Sequence, residues 1–234
     1  MLQNLKKDLK KLSSPTRAIS SLRFFKTGQG QYGEGDKFIG ITVPDIRQVS
    51  KQYLDLSLED VLSLLHSPIH EERLCALLIL VSQYQKGDNK KQKQIFDLYL
   101  KNYKYINNWD LIDLTAPRIV GAYLFDKPKD ILYKLAKSKN LWQRRVAILA
   151  TFQFIYYGQS QDTLKISKIL LHDEHDLIQK AVGWMLREVG KRVDEKILLD
   201  FLKDNYKIMP RTMLRYAIER LPNSKRLAYL QGRI

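Results

Sequence analysis

Apolar residues recur along this chain at intervals of three and four, and no stretch alternates apolar and polar positions as a half-buried strand does. The pattern predicts helices throughout. Prolines and short polar residues mark where they start. Helices are expected to begin near Leu2, Pro15, Pro44, Ser57, His70, Lys90, Asn107, Lys127, Leu141, Asp162, His175, Asp194, Pro210 and Ser224. Short polar breaks lie between them, among them Lys86-Gly87-Asp88-Asn89, Ser138-Lys139-Asn140 and Asp204-Asn205-Tyr206. Paired, these helices give units of about 35 residues, each with a shorter outer helix and a longer inner one such as Leu141 to Tyr157. A single pair cannot bury its apolar stripe, so neighbouring pairs must stack. The expected fold is all-α, a helical-repeat solenoid whose long inner helices line a basic concave face. No linker interrupts the pattern, so residues 1–234 are expected to form one domain, with residues 1–50 as an irregular helical cap.

A second regularity lies on top of the first. Arg73, Trp109, Arg145, Lys180 and Arg215 fall 36, 36, 35 and 35 residues apart. On stacked helices such spacing presents equivalent positions on one surface. All but one of these positions hold a cation, a residue type that interiors seldom accept. The expectation is an exposed or groove-lining row, with Trp109 standing among the cations. Asp113 follows Trp109 by four residues, which places both on one helix face, and Trp184 follows Lys180 by the same interval.

Charge sharpens the picture. Forty Lys and Arg against 25 Asp and Glu give a net charge of +15, a self-repulsion that a polyanionic partner would relieve. Nucleic acid leads; the chain has no apolar run near the roughly 20 residues needed to span a bilayer. Its N-terminus lacks the apolar core of a signal peptide. The single cysteine, Cys75, sits in the apolar run Leu74–Val81, where core packing in a reducing, cytoplasmic compartment is expected.

Two other motifs add little. Gly28-Gln29-Gly30-Gln31-Tyr32-Gly33 matches a dinucleotide fingerprint in letters, but the residues before it read as helix and no βαβ unit follows. A Rossmann site is rejected, although backbone amides of this loop, flanked by Lys26 and Lys37, could approach a phosphate. The histidines pair as His66 with His70 and His172 with His175, and neither pair has a third ligand nearby. No metal site and no cofactor is expected. Arg144 and Arg145, Lys180, Arg73 and Arg215 are read as phosphate contacts, each of which steepens the salt dependence of binding.

Three blocks, in order and at near-constant spacing, carry a resemblance to a known family. They are Trp109-Asp110-Leu111-Ile112-Asp113, Asn140 through Leu149 with Trp142-Gln143-Arg144-Arg145 at its start, and Gln179 through Glu188 with Gly183-Trp184 inside it. Over most of its length the sequence resembles the AlkD-type DNA glycosylases, built from HEAT-like helical repeats. The resemblance implies removal of cationic N3- or N7-alkylated purines from duplex DNA by an enzyme that needs no metal or cofactor. No lysine stands out for lyase chemistry, so a monofunctional enzyme is expected, and nothing indicates an oligomer, so a monomer is expected. The resemblance also implies that Trp109 and Trp184 flank the lesion nucleotide and that Asp113 is the catalytic carboxylate. Arg145, rather than Arg144, falls at the family's phosphate-gripping arginine. The chain departs from the family pattern at Asn108, where a second tryptophan is usual, and in its longer glycine-rich loop.

Two other readings compete. A non-catalytic module would bind distorted, branched or damaged DNA by shape and phosphate contacts alone. A protein–protein scaffold would show little salt-dependent DNA binding, which the net charge disfavours.

Overall fold

The computed structural model describes every residue from Met1 to Ile234 and contains helices but no strand. One isolated parallel bridge, between Lys37 and Ile69, is the nearest approach to a sheet. Contacts divide the chain into two compact units, Met1–Thr115 and Ala116–Ile234. No helix is long and apolar enough to cross a membrane.

The first unit holds α1 (Leu2–Lys11), α2 (Pro15–Phe24), α3 (Val43–Ser50), α4 (Leu58–Leu65), α5 (His70–Lys86), α6 (Asn89–Lys101) and the single-turn α7 (Trp109–Asp113). Local chemistry sets the starts. Ser14 caps α2 just ahead of Pro15, Thr42 caps α3 ahead of Val43-Pro44, and the side chains of Ser57 and Asp88 accept amides of α4 and α6. At the centre lies α5. Its segment Leu74–Val81 is buried on every side, the expected state of a helix without a polar face. α3, α4, α6 and α7 all pack against it.

The second unit opens with a π-helical turn, Pro117–Gly121, that runs directly into α8 (Ala122–Leu124). There follow α9 (Asp130–Ala136), α10 (Leu141–Ala150), α11 (Phe152–Tyr156), α12 (Gln161–Ile169), α13 (Asp176–Arg192), α14 (Glu195–Asn205), α15 (Arg211–Ala217) and α16 (Asn223–Gln231). Here the paired arrangement is plain. α10 packs on α13 and α13 on α15, forming an inner row, while α9, α12 and α14 pack on the inner helices from outside. α13 and α15 lie close together at Gly183, where a Cβ would lie 2.4 Å from the Met213 carbonyl oxygen.

Every expected helix is present and starts within three residues of its expected position. The continuous inner helix Leu141 to Tyr157 is not. It breaks at Thr151, which separates α10 from α11. The Thr151 hydroxyl is fully buried and donates to the Ile148 carbonyl at 2.7 Å, a local bond that competes with the helical ladder.

Candidate active site

Trp109 and Asp113 open and close α7, and both are half-buried. One turn of helix has almost no stability of its own. Side chains around it therefore decide where it sits. Asn108 caps it: its Oδ1 accepts the Trp109 amide at 2.9 Å, and its Nδ2 donates to Asp36 Oδ2 at 3.2 Å. The departure from the family pattern at Asn108 is thus a fully buried structural cap. Two residues on, Asp110 Oδ2 lies 2.8 Å from His70 Nε2, and His70 Nδ1 lies 3.3 Å from the same Asp36 oxygen that Asn108 reaches. Arg73 completes the cluster, donating to Asp36 Oδ1 at 2.7 Å and to the Ser67 carbonyl at 3.2 Å.

All five of these side chains are buried. Burial works against a charged imidazole, but the Asp110 carboxylate, by charge and by hydrogen bond, and the bond to Asp36 outweigh it and raise His70 to about 9. The ring is an imidazolium at neutral pH and donates from both nitrogens. Burial alone would raise the Asp36 carboxyl; the His70 bond, the charges of Arg73 and His70, and Asn108 hold it below its ordinary value. Two carboxylates and two cations leave the cluster neutral, the condition under which buried charges persist.

The first turn of α5 anchors more than α7. Glu71 is 3% exposed, and its carboxylate accepts the amides of Ile39, Gly40 and Ile41 at 2.7–3.3 Å. This fold of the chain needs Gly40: its φ is +76° and a Cβ there would meet the Ser14 carbonyl oxygen at 2.2 Å. Glu72 pairs with Lys6 at 3.0 Å. Four consecutive polar residues, His70 to Arg73, thus fasten residues 6, 36 and 39–41 onto α5. Aromatic rings extend the anchorage. Phe38 stacks on His70 (centroids 4.7 Å) and on Phe25 (5.0 Å), and Phe25 stacks on Trp109 at 5.5 Å. Phe24 meets the indole edge-on at 5.6 Å and is itself exposed. Trp109 therefore rests one face on a built aromatic support.

Asp113 carries its charge close to Tyr99. Burial, with a smaller push from Asp113, raises the Tyr99 phenol above its usual range, and its hydroxyl pairs with Thr115 Oγ1 at 3.0 Å.

In the second unit, Trp184 is half-buried on α13 and its indole N–H donates to Glu188 Oε1 at 3.3 Å. Phe152 lies beside the ring at 6.0 Å, and the Arg192 guanidinium sits 5.3 Å over Phe152. Burial would raise the Glu188 carboxyl, but the bond from Arg192 and the charges of Arg192, Arg187 and Lys191 hold it below its ordinary value.

The expected row of surface cations needs correction. Arg73 is 4% and Arg145 5% exposed; Arg73 is locked to Asp36, and Arg145 donates to the Leu177 carbonyl. Arg144 is engaged as well, to Asp173 at 2.6 Å and to the Ser138 and Lys139 carbonyls at 3.0 Å each. Lys180 is half-exposed and pairs with Asp176 at 2.8 Å; Arg215 is exposed. Cations enter the interior here because carboxylates and carbonyl oxygens meet them there.

The spacing also conceals a slip of one residue. Arg145, Lys180 and Arg215 are each the fifth residue of their helices, whereas Arg73 is the fourth residue of α5 and Trp109 the first of α7. The structural counterparts of Arg73 are Arg144 and Gln179. Each donates from its side chain to a backbone carbonyl six residues earlier, that of Ser67, Ser138 and Asp173 respectively. In the same three loops the side chains of Ser67, Ser138 and Asp173 accept the amides of Ile69, Asn140 and His175 at 3.0–3.1 Å. The repeat is thus a corner of hydrogen bonds, written in different letters each time.

No role is assigned to Asp36 or Asp110 from sequence, and His70 is weighed there only as a metal ligand beside His66; Asp110 lies inside the block that opens with Trp109, and Asp36 lies at the end of the glycine-rich loop. That loop is closed on itself, with the Gly28 and Gly30 amides bonded to the side chains of Gln31 and Glu34, so these amides face no phosphate.

Comparison with known proteins gives a consistent result. The family model described as "DNA alkylation repair enzyme" matches residues 5–221. Among solved structures, a predicted DNA alkylation repair enzyme from Enterococcus faecalis superposes with a TM-score of 0.69 at 18% identity, covering 90% of this chain and 97% of that one. At that identity the likeness speaks for a shared fold. No curated protein matches.

Proposed function

The chain belongs to the DNA alkylation repair enzyme family, and from that premise we propose that it is a DNA glycosylase that hydrolyses the N-glycosidic bond of cationic N3- or N7-alkylated purines in duplex DNA. The observation that carries this reading is α7, a single turn fixed from both sides that offers an indole face at Trp109 and a carboxylate one turn later at Asp113.

The chemistry needs little more. An alkylated purine already carries positive charge and leaves without a general acid. As its bond to C1′ breaks, positive charge grows on the deoxyribose. The Asp113 carboxylate stabilises that oxocarbenium-like sugar and orients the attacking water, whose proton it accepts. One well-aimed electrostatic group is worth roughly 3–4 kcal/mol, a hundredfold to thousandfold in rate. Trp109 and Trp184 provide π faces for a cationic base or sugar, each adding about 0.5–2 kcal/mol. Lys180 and Arg215, with accessible side chains, are assigned to phosphates, and Arg145 supplies positive charge from within its unit. The net charge of +15 fits a polyanionic substrate.

The test is incubation with methylated duplex DNA and mass spectrometry of the released bases, beside Asp113→Asn. Wild type should release 3-methyladenine or 7-methylguanine, and the variant should lose at least about a hundredfold in rate while still binding DNA. Release at the wild-type rate by Asp113→Asn would remove the carboxylate from its role. Silence from both proteins, with salt-sensitive binding intact, would replace the enzyme by a DNA-binding module.

A further inference from the structure

We propose that His70 is a positioning residue for the active-site turn: by donating one ring nitrogen to Asp110 and the other toward Asp36, it sets how Trp109 and Asp113 are presented to DNA. The proposal rests on the glycosylase reading for its catalytic consequence, though not for its geometry.

The argument begins with the length of α7. Five residues make one hydrogen-bonded turn, which cannot hold its own orientation. Its first turn is tied at Asn108 and at Asp110, and both ties converge on one pair of groups, His70 and Asp36. Asp113 is one turn beyond Asp110 on the same short helix, so a tilt at Asp110 carries Asp113 with it. The groups facing the His70 ring are Asp36 from the segment before α3, Asp110 from α7 and Arg73 from its own helix, with Phe25 and Phe38 against its faces. No hydrophobic substitute could do the same work, because Asp110 and Asp36 need donors on opposite sides of one ring.

Only the imidazolium supplies both donors; a neutral ring has one. Asp36 would keep Arg73 and Asn108 if it lost His70. Asp110 has no such reserve, since its Oδ1 is buried without a hydrogen-bond partner. The tie to α7 is therefore the part of the cluster without a second bond: deprotonation leaves the ring a single N–H to serve both Asp110 and Asp36 and removes the charge that attracts both, on a residue that touches no substrate.

The experiment uses the full chain labelled with 5-fluorotryptophan, the Trp109 ¹⁹F signal being assigned by Trp109→Phe. In wild type that signal should shift with pH around a midpoint near 9, and the shift should vanish in His70→Gln. An unchanged Trp109 signal across the range, or the same titration in His70→Gln, would overturn the proposal. In single-turnover base release, His70→Gln and Asp110→Asn should each lose about tenfold to a hundredfold, as small misplacements of reacting groups do, with DNA affinity unchanged. Wild-type rates in both folded variants would also overturn it. If His70→Gln does not fold, Asp110→Asn keeps the imidazole against its phenylalanines while removing one charge. The Trp109 midpoint should then move below that of wild type, and an unmoved midpoint refutes the assignment. Should wild type release no base yet show the titration, the glycosylase reading falls and the placement of α7 by His70 stands.

Discussion

Two glycines on one helix, Gly183 and Gly190 of α13, should respond to alanine to different degrees. In a helix interior, alanine is favoured over glycine by roughly 0.5–1 kcal/mol, and that gain applies to both. What differs is the neighbour. At Gly183 a Cβ would lie 2.4 Å from the Met213 carbonyl oxygen and 2.5 Å from Tyr216 Cβ, both fixed by the path of α15. Ordinary contacts between such atoms are about 3.5 Å or more, so α15 must retreat by about 1 Å along this seam. Overpacking of this kind costs about 1–3 kcal/mol, and a backbone obstacle places it toward the top of that range. Gly183→Ala should therefore destabilise by about 1–2 kcal/mol net, which in a chain of this size lowers Tm by roughly 2–8 °C. At Gly190 the obstruction is the Leu198 side chain, with Cδ2 at 2.6 Å and Cβ at 3.0 Å. Rotation of that leucine relieves the closer contact, so Gly190→Ala should fall within about 1 kcal/mol of wild type. Urea unfolding of the three proteins at one pH decides the matter. A Gly183→Ala variant as stable as wild type, or one no less stable than Gly190→Ala, would mean that α13 and α15 do not meet as described.

Two further predictions concern buried titrating groups. His70 is raised from 6.5 to about 9, so its contribution is fully present below pH 6.5 and is lost as pH rises through about 9. The shift corresponds to roughly 3 kcal/mol, and the stability gap between wild type and His70→Gln should narrow by that order between about pH 6 and pH 10; a constant gap contradicts the charged bridge. Cys75 is fully buried and burial pushes its thiol up to about 12, so it should stay unreactive toward a thiol-specific disulfide reagent in native buffer and react at once in denaturant. Rapid native labelling would place Cys75 outside the core.

Much of the architecture was readable from periodicity and punctuation. Pro15, Thr42-Val43-Pro44, Ser57 and Asp88 start helices for reasons that act within four residues, and four residues are visible in any sequence. Leu74–Val81 identified its own burial by having no polar face. The break at Thr151 was hidden, because a threonine in an apolar run reads equally well as a continuing helix. The single turn α7 divides the same way. Trp109 and Asp113 could be paired from their spacing, since a helix turn is local. The groups that hold them could not: Asp36, His70 and Asp110 are separated by 34 and 40 residues, and polar letters at a helix start default to solvent. Arg73 and Arg145 misled for a related reason. Regular spacing showed that they recur, but only the partners, Asp36 and the Leu177 carbonyl, show which way they point.

The hydrogen-bonded corners that open α5, α10 and α13 have a bearing on how the chain reaches its folded state. Each joins a side chain to a carbonyl only six residues behind it and an amide two residues ahead of a short acceptor. Closing so small a loop costs little chain entropy and takes well under a microsecond. Each corner can therefore be made as soon as its own stretch leaves the ribosome, before the later helices exist. Assembly would then advance in the order of synthesis, each finished corner presenting an edge on which the next inner helix can condense.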